Sequence, residues 1–332
     1  ETYRGTISDG VGQGDTFRLA LTGGTLTLSG NNSFTGGIVI SGHGTKLILD
    51  HNNAAGGINN KIYTQGTVIT YNNGVNNAAG IVISSNTTQL EVNGTDSAQQ
   101  SGIISEDQAG RPLEKIGIGT LILGNGMANP QNTFSGAFTL SAGTVAIQST
   151  RNLGSDTATN RLIFNGGTLD TGNNVIGMSR PFTVNAAGGT VNHAQALIFQ
   201  GDGNVFTGRL AKRGAGVLVL TGTSTGAGGI LVDEGTLSLG ANSSAGTGTI
   251  TMNGGTRLRG RTDGMNIANN IAIQGKGGIT LEREFAGVNY TLSGNISGNS
   301  TGSSLQKTQD GTINLTGNNT FQGGVTLSAG TL

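Results

Sequence analysis

The chain has 332 residues and not one cysteine or tryptophan. That excludes a disulfide framework, a thiolate nucleophile and a cysteine-based zinc site. Aromatic residues make up 4% and prolines number 3, so the thick aromatic core of an ordinary enzyme of this length is not available. A thin core, one layer of Leu, Ile and Val, is. Charge of one sign is missing too: 18 basic residues balance 18 acidic ones. Without a basic stripe, nucleic acid is excluded as a partner. No apolar run approaches the length of a membrane-spanning helix. No stretch sets apolar residues at i, i+3, i+4 and i+7, so helix should be nearly absent. What is abundant is glycine, 61 residues. Such richness also marks disordered linkers, but these glycines punctuate a regular Leu/Ile/Val alternation that a linker lacks.

The alternation repeats. Four related stretches occupy 23–49, 117–147, 214–239 and 310–332, and their opening glycines Gly24, Gly119, Gly216 and Gly311 lie 95, 97 and 95 residues apart. A fixed period denotes an array. Inside it runs a finer step: Gly-Thr pairs and their equivalents recur about every 23 residues from Gly119 to Gly330, so the long repeat is four short ones. After each glycine comes a polar/apolar alternation such as Thr25-Leu26-Thr27-Leu28 or Thr312-Ile313-Asn314-Leu315, the mark of a strand with one buried face. Gly, Asn and Ser between the strands supply turns.

Short strands at this step, with no helices, predict an all-β chain. We expect a right-handed, single-stranded parallel β-helix of about 14 coils of roughly 23 residues, continuous over 1–332. At about 4.8 Å per coil it would reach on the order of 70 Å. A propeller would show a longer blade period. The chain begins without a signal peptide and stops within a strand pattern, which we read as a segment of a longer protein.

The pattern G-T-L-x-L-x-G-x-N-x-F-x-G-G, followed by an alternation and G-T-L, resembles the passenger-associated transport repeat, also called the autotransporter-associated β-strand repeat. Its Asn-x-Phe-x-Gly heart is carried by Asn32, Phe34 and Gly36, by Asn132, Phe134 and Gly136, and by Asn319, Phe321 and Gly323. The third copy departs, with Thr225 near the Phe position in Gly222–Gly226. The second holds an insertion around Met127–Pro130. The resemblance implies a β-helical passenger of a type V secretion system, displayed at a Gram-negative cell surface by a C-terminal β-barrel. A cysteine-free chain suits passage through a periplasm.

Candidate sites are few. Gly222–Gly226 and Gly298–Gly302 match G-x-S-x-G, but neither precedes a helix and no histidine follows His193, so we assign no catalytic residue. His43, His51 and His193 read as surface turn residues, and we assign no metal and no cofactor. The G-G-x-G-x-D calcium nonapeptide is absent as a repeat. Glu282 and Glu284, two apart, read as a solvated strand face. Arg257, Arg259 and Arg261 form a one-sided row. It would bind an anionic glycan or, the reading we favour, pair with Glu282 and Glu284 one coil later. Phe34, Phe134 and Phe321 read as core plugs.

The expected function is a structural stalk or adhesin segment of a cell-surface or secreted protein, and not an enzyme. A self-associating filament or matrix protein, joined end to end or laterally, is the alternative; a carbohydrate-active β-helix enzyme is the third reading. Partners would be another copy of the chain, or a host or cell-surface glycan or protein. The stretch Asn52–Asn93, least regular in step, is the expected site of a recognition excursion.

Overall fold

The computed structural model describes residues 1–12, 14–124, 131–298 and 300–332. The insertion around Met127–Pro130 lies outside the described residues. Among the described residues the chain is strand and turn, apart from one short 3-10 helix at Thr150–Leu153. The strands stack in parallel as a β-solenoid of about 14 turns.

Two compact units make up the chain, Glu1–Asp170 and Thr171–Leu332. In the first, a complete coil runs through Val68–Tyr71, Asn76–Asn77 and Gly80–Ile83 before Thr88–Val92 opens the next. Each of these strands pairs with its counterparts one coil away, giving three faces. Paired residues lie 21 apart at Thr25↔Lys46 and 25 apart at Leu90↔Lys115. The short sequence period is therefore the coil itself. Its tolerance of a few residues resides in the turns, since the strand register admits no slip without turning each side chain to the other face.

The alternation places Leu26, Leu47, Ile69, Leu90, Lys115, Leu140 and Phe164 in one inward column. In the second unit, Leu197, Leu218, Leu237, Leu258, Leu281 and Lys307 form a buried column on another sheet, which ends at the exposed Leu327. One inward residue per coil, most often leucine and stacked at strand spacing, is the thin core that the composition demands; Lys115 and Lys307 are the charged members of these columns. No coil buries this face alone; the coils on either side complete it.

The segment Asn52–Asn93 is not an excursion. Lys61–Gln65, Val68–Tyr71, Gly80–Ile83 and Thr88–Val92 keep to the coil path, and the irregular step comes from the turn ahead of Lys61.

The column predicts local consequences. Leu237→Ala removes a fully buried side chain and should cost about 2–5 kcal/mol. Contacts in a solenoid reach only to nearest neighbours. Native-state hydrogen exchange should therefore quicken in the coils holding Leu218, Leu237 and Leu258 and stay unchanged in the Leu281 coil. Uniform quickening throughout the unit would contradict this.

Candidate functional site

The Asn-x-Phe-x-Gly markers are corners where strand pairing is interrupted, and each residue answers one consequence of that. The asparagine spans three coils. Asn132 is 5% exposed. Its side-chain oxygen accepts from the Ile104 N–H at 2.8 Å, 28 residues earlier, and its amide donates to the Asn152 carbonyl at 2.6 Å, 20 residues later. Asn32 does the same between Ile7, at 2.8 Å, and Ala54, at 2.7 Å. Asn319, half-buried, accepts from the Ile296 N–H at 2.9 Å. An amide side chain carries a donor and an acceptor in the arrangement of a peptide group, so it stands in for the missing rung of the ladder.

Phe34 and Phe134 are fully buried plugs, held edge-on by Phe17 at 5.7 Å and Phe138 at 6.0 Å between centroids. Phe321 is half-buried. Gly36, Gly136 and Gly323 press against the backbone of the preceding coil. A Cβ at these positions would meet Phe17, Arg111 and Ser303 main-chain atoms closer than van der Waals contact allows.

The third copy lacks the marker within its matched stretch, as the sequence indicates, but a marker stands just before it. Asn204-Val205-Phe206-Thr207-Gly208 carries the same pattern one coil earlier, with Asn204 and Phe206 buried. Asn204 accepts from the Phe182 N–H at 3.0 Å and donates to the Thr223 carbonyl at 3.1 Å. Ser224 lies directly above Asn204 in register, and its hydroxyl passes the bond on to the Ser244 carbonyl at 2.8 Å. Gly226 then stands over Phe206. A Cβ on Gly246 would come within 3.3 Å of that ring, so the phenylalanine below fills the space the copy lacks. This signal was in the sequence, displaced from the frame set by Gly216. It also gives Ser224 of the first G-x-S-x-G stretch a bonding role. In the second, Ser300 donates to the Gly275 carbonyl at 3.0 Å.

Sequence reasoning missed three lysines. Lys115, Lys212 and Lys307 each stand four residues before the opening glycine of copies two, three and four, and all are buried, at 0%, 0% and 1% exposure. Each occupies an inward position between apolar residues: Leu90 and Leu140, Val191 and Val232, Leu281 and Leu327. Their ammonium groups turn back onto the carbonyls of the following turn. Lys115 donates to the Ile116, Gly117 and Gly119 carbonyls at 2.8, 2.8 and 3.1 Å and reaches Ala142 in the next coil at 3.4 Å. Lys212 donates to Gly214 at 2.6 Å and Arg213 at 3.3 Å. Lys307 donates to Gln309 and, a coil later, to Ala329 at 3.2 Å. The carbonyl dipoles replace water only in part, so burial pushes the Lys115 and Lys212 amines down to about 8, with Glu91 and Glu234 opposing the shift. Burial lowers Lys307 as well, aided by Arg283. The overlooked signal was a lysine on the apolar phase of the alternation in three copies out of four.

The arginine row is paired. Glu282, 3% exposed, takes Arg257 and Arg259, and Glu284 takes Arg259 at 3.6 Å and Arg261 at 3.3 Å. The expected solvated acidic face is therefore corrected: Glu282 is enclosed between two guanidiniums, because register places it against Arg259. Arg261 also lies over the Phe285 ring at 5.1 Å. Of the histidines, His43 is an exposed turn residue and His51 accepts from the Asn53 N–H at 3.1 Å. His193 is buried at 1% exposure, which corrects its assignment to the surface; it falls at the end of the strand Gly189–His193, on an inward position.

The passenger-associated-transport-repeat model matches residues 23–45, 113–147, 210–239 and 305–332. The last three matches open two residues before the buried lysines. An adhesin, the BmaC autotransporter of Brucella suis biovar 1 (strain 1330), is 30% identical over 221 residues, which is 60% of this chain and 6% of that protein. The chain thus spans a small fraction of the relative's length. No solved structure matches.

Two outcomes follow from the corner chemistry. Asn132→Ala leaves the buried Ile104 N–H and Asn152 carbonyl unpaired and should cost about 2–4 kcal/mol; Asn132→Asp, which keeps the acceptor and buries a charge, should be no milder, as read by denaturant melts. The lysines set a pH dependence. Between about pH 8 and 10 the unfolded chain keeps protons on amines of ordinary pKa 10.5 that the folded chain has released. Stability therefore rises with pH across that window. It falls again above about 10, where unfolded tyrosines ionise while Tyr71 and Tyr290, their pKa values raised by burial, remain neutral. Lys115→Met with Lys212→Met should flatten the rise, measured by thermal melts at each pH; an unchanged slope would refute the assignment.

Proposed function

We propose that this solenoid, built on four passenger-associated transport repeats, is a stalk segment of a surface-displayed, autotransporter-like adhesin. The observation that carries the reading is the direction of its chemistry. The repeat-borne amides and ammonium groups turn inward and bond one coil to the next, while Arg257, Arg259 and Arg261 are taken up in ion pairs with Glu282 and Glu284. Such groups hold a spacer in register and engage no substrate. The adhesin relative supports display at, or secretion from, an outer membrane and a host or cell-surface partner; on the stalk reading that partner is bound outside this segment. We assign no catalytic role to this segment.

The stalk reading is tested in the displayed full-length protein. Deleting four whole coils, residues 217–305, so that Gln306 takes the register of Val217, should retract the tip by roughly 19 Å and leave binding by the tip intact once display is confirmed. Replacing the outward Thr120 and Thr144 by lysine should leave adhesion unchanged. Loss of adhesion with the fold preserved, or binding of host cells by the purified 332-residue chain, would place recognition in this segment instead.

A further inference from the structure

Asn-Gly pairs occur at Asn73, Asn93, Asn125, Asn165 and Asn253. Asn125 lies outside the described residues, and Asn165 is half-buried. Of the rest, Asn93 stands apart. Register sets Thr70, Glu91 and Ile116 in one column and Asn76, Gln99 and Ile122 in another. The chain takes six steps from Thr70 to Asn76 and six from Ile116 to Ile122, but eight from Glu91 to Gln99. The turn at 93–96 is therefore two residues longer than the turn on either side of it. The coil above pairs past the extra residues: Gly119 donates to the Val92 carbonyl at 2.9 Å and Thr120 to the Asp96 carbonyl at 2.8 Å. Asn93 and Gly94 are left exposed. Among the described residues no group bonds the Asn93 side chain or the Gly94 N–H. The other two pairs are held by the coil above. The Asn73 side-chain oxygen accepts from the Ser97 N–H at 3.2 Å, while Gly74 donates to the Ser97 carbonyl at 2.8 Å. The Asn253 amide donates to Asp233 at 3.1 Å, and the Gly254 N–H donates to the Gln274 carbonyl at 3.0 Å.

We propose that Asn93-Gly94 is a self-modification site, at which the asparagine converts without an enzyme into aspartate and isoaspartate. The Gly94 nitrogen, its proton taken by hydroxide, attacks Cγ of Asn93. The new C–N bond closes a five-membered succinimide, and the side-chain nitrogen takes a proton from water and leaves as ammonia. Water then opens the ring at either carbonyl. One opening gives aspartate; the other gives isoaspartate, with the main chain routed through the former side chain. The attack needs an amide free to turn back on its own backbone and a nitrogen free to lose its proton. Glycine, without a Cβ, leaves the approach to that nitrogen open. All three pairs have the glycine, but only at Asn93 are both reacting groups unbonded. At Asn73 and Asn253 two hydrogen bonds must break first. Because the coil above already pairs past this loop, the altered backbone and the new charge near Asp96 leave the stack in place. A chain that starts with 18 acidic and 18 basic residues thus turns acidic with age. The inference goes beyond the stalk reading and does not depend on it.

Peptide mapping by mass spectrometry of the folded 332-residue chain, aged in mildly alkaline buffer, provides the test. Asn93 should convert at least about tenfold faster than Asn73 or Asn253, the delay that two retained hydrogen bonds impose. The rate should rise with pH, as more of the Gly94 nitrogen is deprotonated. The isolated Asn93 peptide should hold isoaspartate, detected by methyl transfer from S-adenosylmethionine through an isoaspartyl methyltransferase. In urea the three rates should converge, because the protecting bonds are gone. Asn93→Gln, whose ring would be six-membered, should stop conversion in that peptide and leave the circular dichroism and the other two rates unchanged. An Asn93 that stays unconverted, equal conversion of the three sites in the folded chain, or a lead of Asn93 that persists undiminished in urea would overturn the proposal. Aspartate without isoaspartate would overturn it too, since direct hydrolysis of the side chain yields only the former.

Discussion

The structure depends on one constraint: each backbone polar group buried between coils must find a partner within one strand spacing of itself. Along the strands the parallel ladder meets that demand without help from side chains. At the corners it does not, because the chain changes direction and its N–H and C=O groups fall out of phase with those of the coils on either side. The asparagines of the repeat resolve the mismatch by acting as a peptide group on a side chain. They accept from one coil and donate to the next, as Asn32 and Asn132 do. The lysines resolve a related mismatch, since a tight glycine turn brings several carbonyls together around one point. An ammonium group, with three donors and no acceptor, fits that set. Its desolvation is the drawback, visible in the depressed basicity of Lys115 and Lys212.

The same constraint explains the composition. A core one residue thick leaves little apolar area per coil, so large aromatics are few; some plug corners and others, such as Phe164 and Phe199, stand on inward strand positions. Phe34 and Phe134 are the corner plugs. Glycine dominates because successive backbones touch where the corners stack, as at Gly136. The outward faces are left to Thr, Ser, Gln and paired charges, and the arginine ladder over Glu282 contributes less than its number of ion pairs suggests. Arg257 is half in water, and exposed pairs contribute little.

The coil architecture was legible from the sequence because period two and a 23-residue step are properties of spacing alone. The pairing of Arg257, Arg259 and Arg261 with Glu282 and Glu284 was legible for the same reason, since residues one coil apart become neighbours. Three things were not. The role of Asn132 depends on atoms 28 residues before it and 20 after, and no local pattern encodes both. Lys115 looks like any surface lysine until its phase in the alternation is counted. Phe206 serves a copy that begins downstream of it, so a frame anchored on Gly216 misplaces it. His193 escaped for the opposite reason: a polar residue among turn-forming neighbours appears exposed, although its strand phase points it inward.

The two-way reach of the corner asparagine also constrains how such a chain grows and shrinks over generations. Asn132 is satisfied only when a coil lies below it and another above it. An insertion of part of a coil breaks both bonds, whereas a duplicated block of whole coils carries its own partners and restores them at each junction. Length becomes a heritable quantity that varies in steps, and lineages of these chains can lengthen or shorten without reinventing a core.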